Sequence, residues 1–176
     1  MEKKFTIIAI TSPGEVDGEA ERIAQILGNG EADIVHIRKP LWNAEKTACL
    51  LKDIPAEFYS RIKLHDHFSL LRQFPLMGVH LNSRNPAAPE EARSVSRSLH
   101  DAAELPLAES YDYVTLSPIF DSISKAGYKS SFSLTELKPL LKGKKVIALG
   151  GVTPDKFSSL REAGFVGAAM LGHFFP

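Results

Sequence analysis

Lys145-Val146-Ile147-Ala148-Leu149-Gly150-Gly151-Val152-Thr153-Pro154 is the stretch that decides the fold. A short apolar run without alternation reads as a strand buried on both faces. The glycine pair ends it, and Thr153 ahead of a proline at the first helical position opens a helix. Strand, glycine turn and helix make the βα unit of a parallel sheet. Outward from there, Pro154 to Ala163 continues as the helix and Val166 to Leu171 reads as the next strand. Upstream, Tyr111 to Leu116 reads as a strand and Ser133 to Leu141 as a helix.

The N-terminal half repeats the pattern. Phe5 to Ile10 is a strand; Ile23, Ile26 and Leu27 recur at helical spacing within Glu19 to Leu27, and Gly28-Asn29-Gly30 stops that helix. Ala32 to Ile37 is a strand, Asn43 caps a helix to about Lys52, and Ile62 to His65 is a third strand. A short helix over Phe68 to Gln73 leads to a strand over Met77 to Leu81, and a proline-rich link leads to a fifth strand over Ser94 to Ser98. Eight strands in βα alternation predict an α/β protein, a (β/α)8 TIM-type barrel forming a single domain over 1–176, with an open doubly wound sheet as the alternative. Such barrels usually need at least ~200 residues. Because the chain stops right after strand eight, the barrel is expected to lack its last helix, and the seam this leaves would suit a homodimer.

The composition is that of an ordinary globular protein, with 44% hydrophobic and 24% charged residues. Lys+Arg 21 balances Asp+Glu 21, so no net positive field draws the chain to nucleic acid or an anionic membrane. The single cysteine, Cys49, excludes an internal disulfide, and no apolar stretch approaches the ~18 residues of a membrane span. The basic tip leads into a six-residue apolar run rather than a signal-peptide core, so a cytoplasmic protein is expected.

In a parallel barrel the reactive face lies at the C-terminal ends of the strands. Here those ends read His36-Ile37-Arg38-Lys39, His65-Asp66-His67, His80-Leu81-Asn82-Ser83-Arg84-Asn85 and Arg97-Ser98-Leu99-His100, with His173 after strand eight. That places the histidines at one rim. Their spacing does not suit a histidine metal cage, and Asp66 is the one carboxylate well placed at a strand end, which suits Mg²⁺ bridged to substrate phosphates. The loop after strand six presents Ser122, Ser124 and Lys125, groups that suit a phosphate. Gly150 and Gly151 after strand seven, with Leu171-Gly172 after strand eight, complete a backbone anion site of the kind barrels place there.

These segments resemble the thiamine-phosphate synthase/TenI family along nearly the whole chain. Ala32-Asp33-Ile34-Val35-His36-Ile37-Arg38 resembles the family's GADxxQxRxK strand, and Gly78-Val79-His80-Leu81 its GxHL segment. Asp112 to Phe120 resembles DYxxxxPxF, and Val146 to Val152 resembles VxAIGGI. The resemblance implies a transferase that joins an aminopyrimidine pyrophosphate to a thiazole phosphate, giving thiamine phosphate and pyrophosphate. Pyrophosphate would leave first, and the thiazole nitrogen would attack the resulting cation. By position, Arg38, Ser98 and Lys125 would hold the pyrophosphate, with His36 and His65 beside it. Asp66 and Asn85 would stand at the Mg²⁺ site, and Ser122, Ser124, Gly150, Gly151, Leu171 and Gly172 would hold the thiazole phosphate.

The departures gather on the pyrophosphate side. His36 replaces a glutamine, Pro40 the expected lysine, His65 an asparagine, and Asn85 a second metal carboxylate. Single electrostatic groups of this kind are commonly worth ~10²–10³ in rate. Two alternatives follow. One is a TenI-like thiazole tautomerase, needing no metal, with His100 as acid and base. The other is a non-catalytic barrel that binds thiamine intermediates.

Overall fold

The computed structural model describes residues 4–121, 130 and 132–176. Strands β1 (Thr6–Ile10), β2 (Ile34–Ile37), β3 (Ile62–Leu64), β4 (Gly78–Leu81), β5 (Val95–Leu99), β6 (Tyr113–Leu116), β7 (Val146–Leu149) and β8 (Gly167–Met170) form a closed barrel in sequence order. The helices are α1 (Glu19–Gly28), α2 (Ala44–Asp53), α3 (Leu134–Leu141) and α4 (Phe157–Ala163). No described helix is long and apolar enough to cross a membrane.

Local chemistry sets these elements. Glu19 and Glu21 lie in the first turn of α1, where a negative charge complements the helix dipole, and its buried face carries Ile23, Ile26 and Leu27. Asn43 caps α2, its Oδ1 accepting from the Lys46 amide at 2.8 Å. Three connections use 3₁₀ turns in place of α-helices. These are Ala56–Arg61 before β3, Phe68–Arg72 after it, and Ala102–Ser110 after β5, which carries Pro106 inside and starts on an Asp101/Glu104 capping box. Short turns of this kind let a barrel close in fewer residues than usual. After β8 the chain makes a turn, with the amides of Phe174 and Phe175 both donating to the Leu171 carbonyl.

By contact the chain divides into two compact units. One holds Ile8–Val95 with Leu171–Pro176, the other Met1–Ile7 with Ser96–Met170. In the first, β1 to β4 pair in parallel, and the register aligns Ile10, His36, Lys63 and Gly78 across the sheet. Aligned residues share a face, so this row faces away from Val35, Ile37, Ile62 and Leu64. In the second, β5 to β8 pair in parallel and align Ser98, Thr115, Ile147 and Gly167. Tyr113, one step lower, is buried and bonded to Ser96; burial pushes its phenol up.

Candidate functional site

In the first unit, β2, β3 and β4 bring three histidines together. His36, His65 and His80 each offer a ring nitrogen within 4.8 Å of the others. His36 Nδ1 and His65 Nε2 share a hydrogen bond of 2.9 Å, and the His65 and His80 rings stack at 4.4 Å. All three are buried. The expected rim of histidines is therefore corrected: these three lie in the interior, while His100 and His173 are exposed. Burial holds His36 and His65 well below the usual histidine range and His80 down to about 3, and the Lys63 ammonium lowers each further. The imidazoles are neutral at pH 7. Their number and closeness would suit Zn²⁺, but the fully buried Lys63 beside them and Arg38 and Arg84 near His65 oppose a cation.

Above this cluster stands Asp66, just past β3. Its Oδ1 accepts from Arg84 Nη2 at 3.0 Å, Arg84 Nε at 3.3 Å and Asn85 Nδ2 at 3.1 Å. Its Oδ2 is buried and has no partner among the described residues. Mg²⁺ wants oxygen ligands in an open octahedron and keeps several waters. Here one carboxylate oxygen is taken by a guanidinium, the other is closed off from solvent, and Asn85 turns its amide NH₂ inward. As arranged, these residues do not fit the ion expected at Asp66 and Asn85.

Arg38 follows β2, held by its backbone amide, which donates to Thr11 Oγ1 at 2.9 Å. Its guanidinium is half-buried and has no partner among the described residues. Lys39 does not stand in for the lysine replaced by Pro40. Its Nζ is buried, donating to the carbonyls of Ser12 at 2.8 Å and Gly14 at 2.6 Å and to Glu19 Oε1 at 2.8 Å. Trp42 is flanked by Lys39 and Lys46, whose ammonium groups sit 4.4 and 4.6 Å from its ring centre. Leu171 and Gly172 also belong to this unit; a side chain at Gly172 would meet nothing.

In the second unit, β7 delivers Gly150 and Gly151. Their φ angles are 93° and 60°, and a Cβ at Gly150 would lie 2.8 Å from Pro118 Cα, while one at Gly151 would lie 2.9 Å from the Phe120 carbonyl carbon. The glycines are thus demanded by the close approach of the loop after β6, whose Phe120 amide donates to the Gly150 carbonyl at 3.0 Å. Lys156 adds a cation here, donating to the Gly151 carbonyl at 2.7 Å. His100 follows β5 and places Nδ1 3.2 Å from Ser117 Oγ. It lines a surface cavity of about 350 Å³ with Phe132, Glu136 and Leu140. Ser98 lies on β5, in register with Thr115. Ser122, Ser124 and Lys125 lie outside the described residues.

The family model for thiamine monophosphate synthase matches residues 7–174. The chain belongs to the thiamine monophosphate synthase family. The four sequence motifs resemble this same family. Among family members, the thiamine-phosphate synthase of Salinibacter ruber is 27% identical over 170 residues, covering 88% of this chain and 74% of the relative. That of Anoxybacillus flavithermus is 29% identical over 119 residues, 61% of this chain and 54% of the relative. The thiamine phosphate pyrophosphorylase structure from Bacteroides thetaiotaomicron superposes with a TM-score of 0.84 at 37% identity, covering 96% of this chain and 83% of that one. Its counterpart from Pyrococcus furiosus, at 17% identity, a TM-score of 0.77 and coverages of 97% and 87%, shares the fold.

Sequence reasoning missed two residues. Lys63 sits between Ile62 and Leu64, and strand alternation places it on the other face from them, a signal that was available. Arg84 lies in the strand-four tail, and nothing in the sequence says that its guanidinium returns to Asp66.

Proposed function

We propose that the chain is a thiamine-phosphate synthase, joining an aminopyrimidine pyrophosphate to a thiazole phosphate and releasing pyrophosphate. The match over residues 7–174 carries this reading. The arrangement of side chains supports it. The guanidinium of Arg38, without a partner among the described residues, provides a positive charge for the leaving group, and stabilising that departing charge is the main catalytic task. The Gly150-Gly151 turn with Lys156 beside it offers backbone amides and a cation to the thiazole phosphate. Ser98, Ser122, Ser124 and Lys125 complete the two sites in this reading. Both substrates are water-soluble phosphate esters, which suits cytoplasmic work.

Binding tests it. Thiazole phosphate at ~100 times its Kd adds ~2.7 kcal/mol of stability, which for a chain of this size raises Tm by roughly 5–10 °C. No shift with either thiazole phosphate or thiamine phosphate would overturn the reading. One observation favours a second activity: the His100–Ser117 contact at 3.2 Å orients an imidazole for proton transfer, as a tautomerase acting on a carboxythiazole phosphate requires. Isomerisation lost in His100→Asn would establish that activity, and isomerisation unchanged would remove His100 from it.

A further inference from the structure

The loop after β4 is built more elaborately than a connection requires. The Asn82 amide donates to the Asn85 carbonyl and the Asn85 amide donates back to the Asn82 carbonyl, both at 3.1 Å. Asn82 Oδ1 accepts from the backbone amides of Arg84 at 3.1 Å and Asn85 at 3.3 Å. Both side-chain amides then reach back to β3, donating to the His65 carbonyl at 2.8 and 2.9 Å. The result fixes Arg84 against the end of β3. There Arg84 spends Nε and Nη2 on a single oxygen of Asp66 and leaves Nη1 without a partner among the described residues, with the side chain 44% exposed.

Arginine–carboxylate pairs are frequently bidentate forks. This one uses one oxygen and keeps part of the guanidinium open. The register sets Ile37 against Leu64, so Arg38 follows β2 beside His65, next to the Asp66–Arg84 pair. Asp66 supplies one carboxylate there, and Arg38 and Arg84 supply two guanidiniums. A divalent cation is repelled by such a place and an anion is drawn to it.

We propose that Arg84, positioned by Asp66 and working with Arg38, binds a pyrophosphate or phosphate group directly, so that two guanidiniums provide at this end the positive charge that a metal ion would otherwise supply. Planar guanidiniums match phosphate oxygens in bidentate geometry, and Asp66 aims one of them. Asp66 is a positioning residue here, not a metal ligand. The proposal rests on the synthase reading only for which molecule brings the anion.

The test is titration of inorganic pyrophosphate into the full chain, with a chelator and with Mg²⁺. Binding should be the same in both. Arg84→Gln should weaken it roughly 10–100-fold, the loss expected for charged hydrogen bonds. Arg84→Lys should recover part, and Asp66→Asn should weaken binding less than Arg84→Gln does. Melting curves of each variant separate lost binding from lost fold, and Arg84 is exposed enough for its replacement to fold. Binding that requires Mg²⁺ and vanishes in Asp66→Asn but survives Arg84→Gln would overturn the proposal, as would no pyrophosphate binding in either condition. Pyrophosphate binding without thiamine phosphate formation would instead count against the synthase reading and leave this site standing.

Discussion

Across β1 to β4 one register row reads Ile10, His36, Lys63, Gly78; across β5 to β8 the matching row reads Ser98, Thr115, Ile147, Gly167. The first buries an ammonium and an imidazole, the second a hydroxyl and an isoleucine. The same difference continues past the strand ends. After β2 to β4 come Arg38, Lys39, Asp66 and Arg84, whereas after β7 comes a turn made of two glycines. In the proposed reading one unit meets an anion with fixed charges and the other with backbone. The lesson concerns fragility: buried charges depend on their partners, while a glycine turn depends on the absence of a side chain.

The largest effect should come from breaking a buried pair in the charged unit. Lys39→Met leaves the Glu19 carboxylate buried and alone, which costs about 3–5 kcal/mol and lowers Tm on the order of 10 °C. Adding Glu19→Gln should restore most of the loss. A mild single variant would mean that the pair is not the support of the β2 loop. Next comes Gly151→Ala in the other unit, where the φ of 60° and the contact with Phe120 make any side chain strained. About 1–3 kcal/mol is expected from the backbone alone, with loss of thiazole phosphate binding. Ordinary binding in that variant would show that the loop after β6 can move aside.

The pH dependence of stability sharpens the comparison further. His36, His65 and His80 have folded values below the unfolded one of about 6.5, and burial is the main cause. Below pH 6.5 the unfolded chain binds more protons than the folded one, so stability is complete above that pH and falls as pH drops toward 3. Each histidine contributes up to about 1.4 kcal/mol per pH unit in that window. Urea midpoints should be flat from pH 8 to 7 and fall between 6.5 and 5, less steeply in His80→Gln. A flat profile to pH 5 would contradict the buried neutral cluster. The smallest effect belongs to Ser117→Ala, within about 0.5 kcal/mol by thermal melting, because its contact with His100 is exposed; a larger loss would give Ser117 a structural role.

Much of this was legible in the sequence. The eight strands and the glycine turn were, because continuous apolar runs and paired glycines are local signals. The turns over Ala56–Arg61 and Ala102–Ser110 were not, because short 3₁₀ segments lack helical periodicity and Pro106 argues against a helix. The histidines were seen at strand ends, but their depth depends on how neighbouring strands are staggered, which no single strand records. Lys39 stands in the polar tail of strand two, and only the fold shows that Ser12, Gly14 and Glu19 consume it. Arg84 was hidden for the same reason, since its partner lies across two strands.

The most direct measurement is thiamine phosphate formation from aminopyrimidine pyrophosphate and thiazole phosphate, followed through its fluorescent oxidation product, with Mg²⁺ and with a chelator. The account predicts product above the uncatalysed background in both conditions. No product in either, with thiazole phosphate still bound, would contradict the synthase reading.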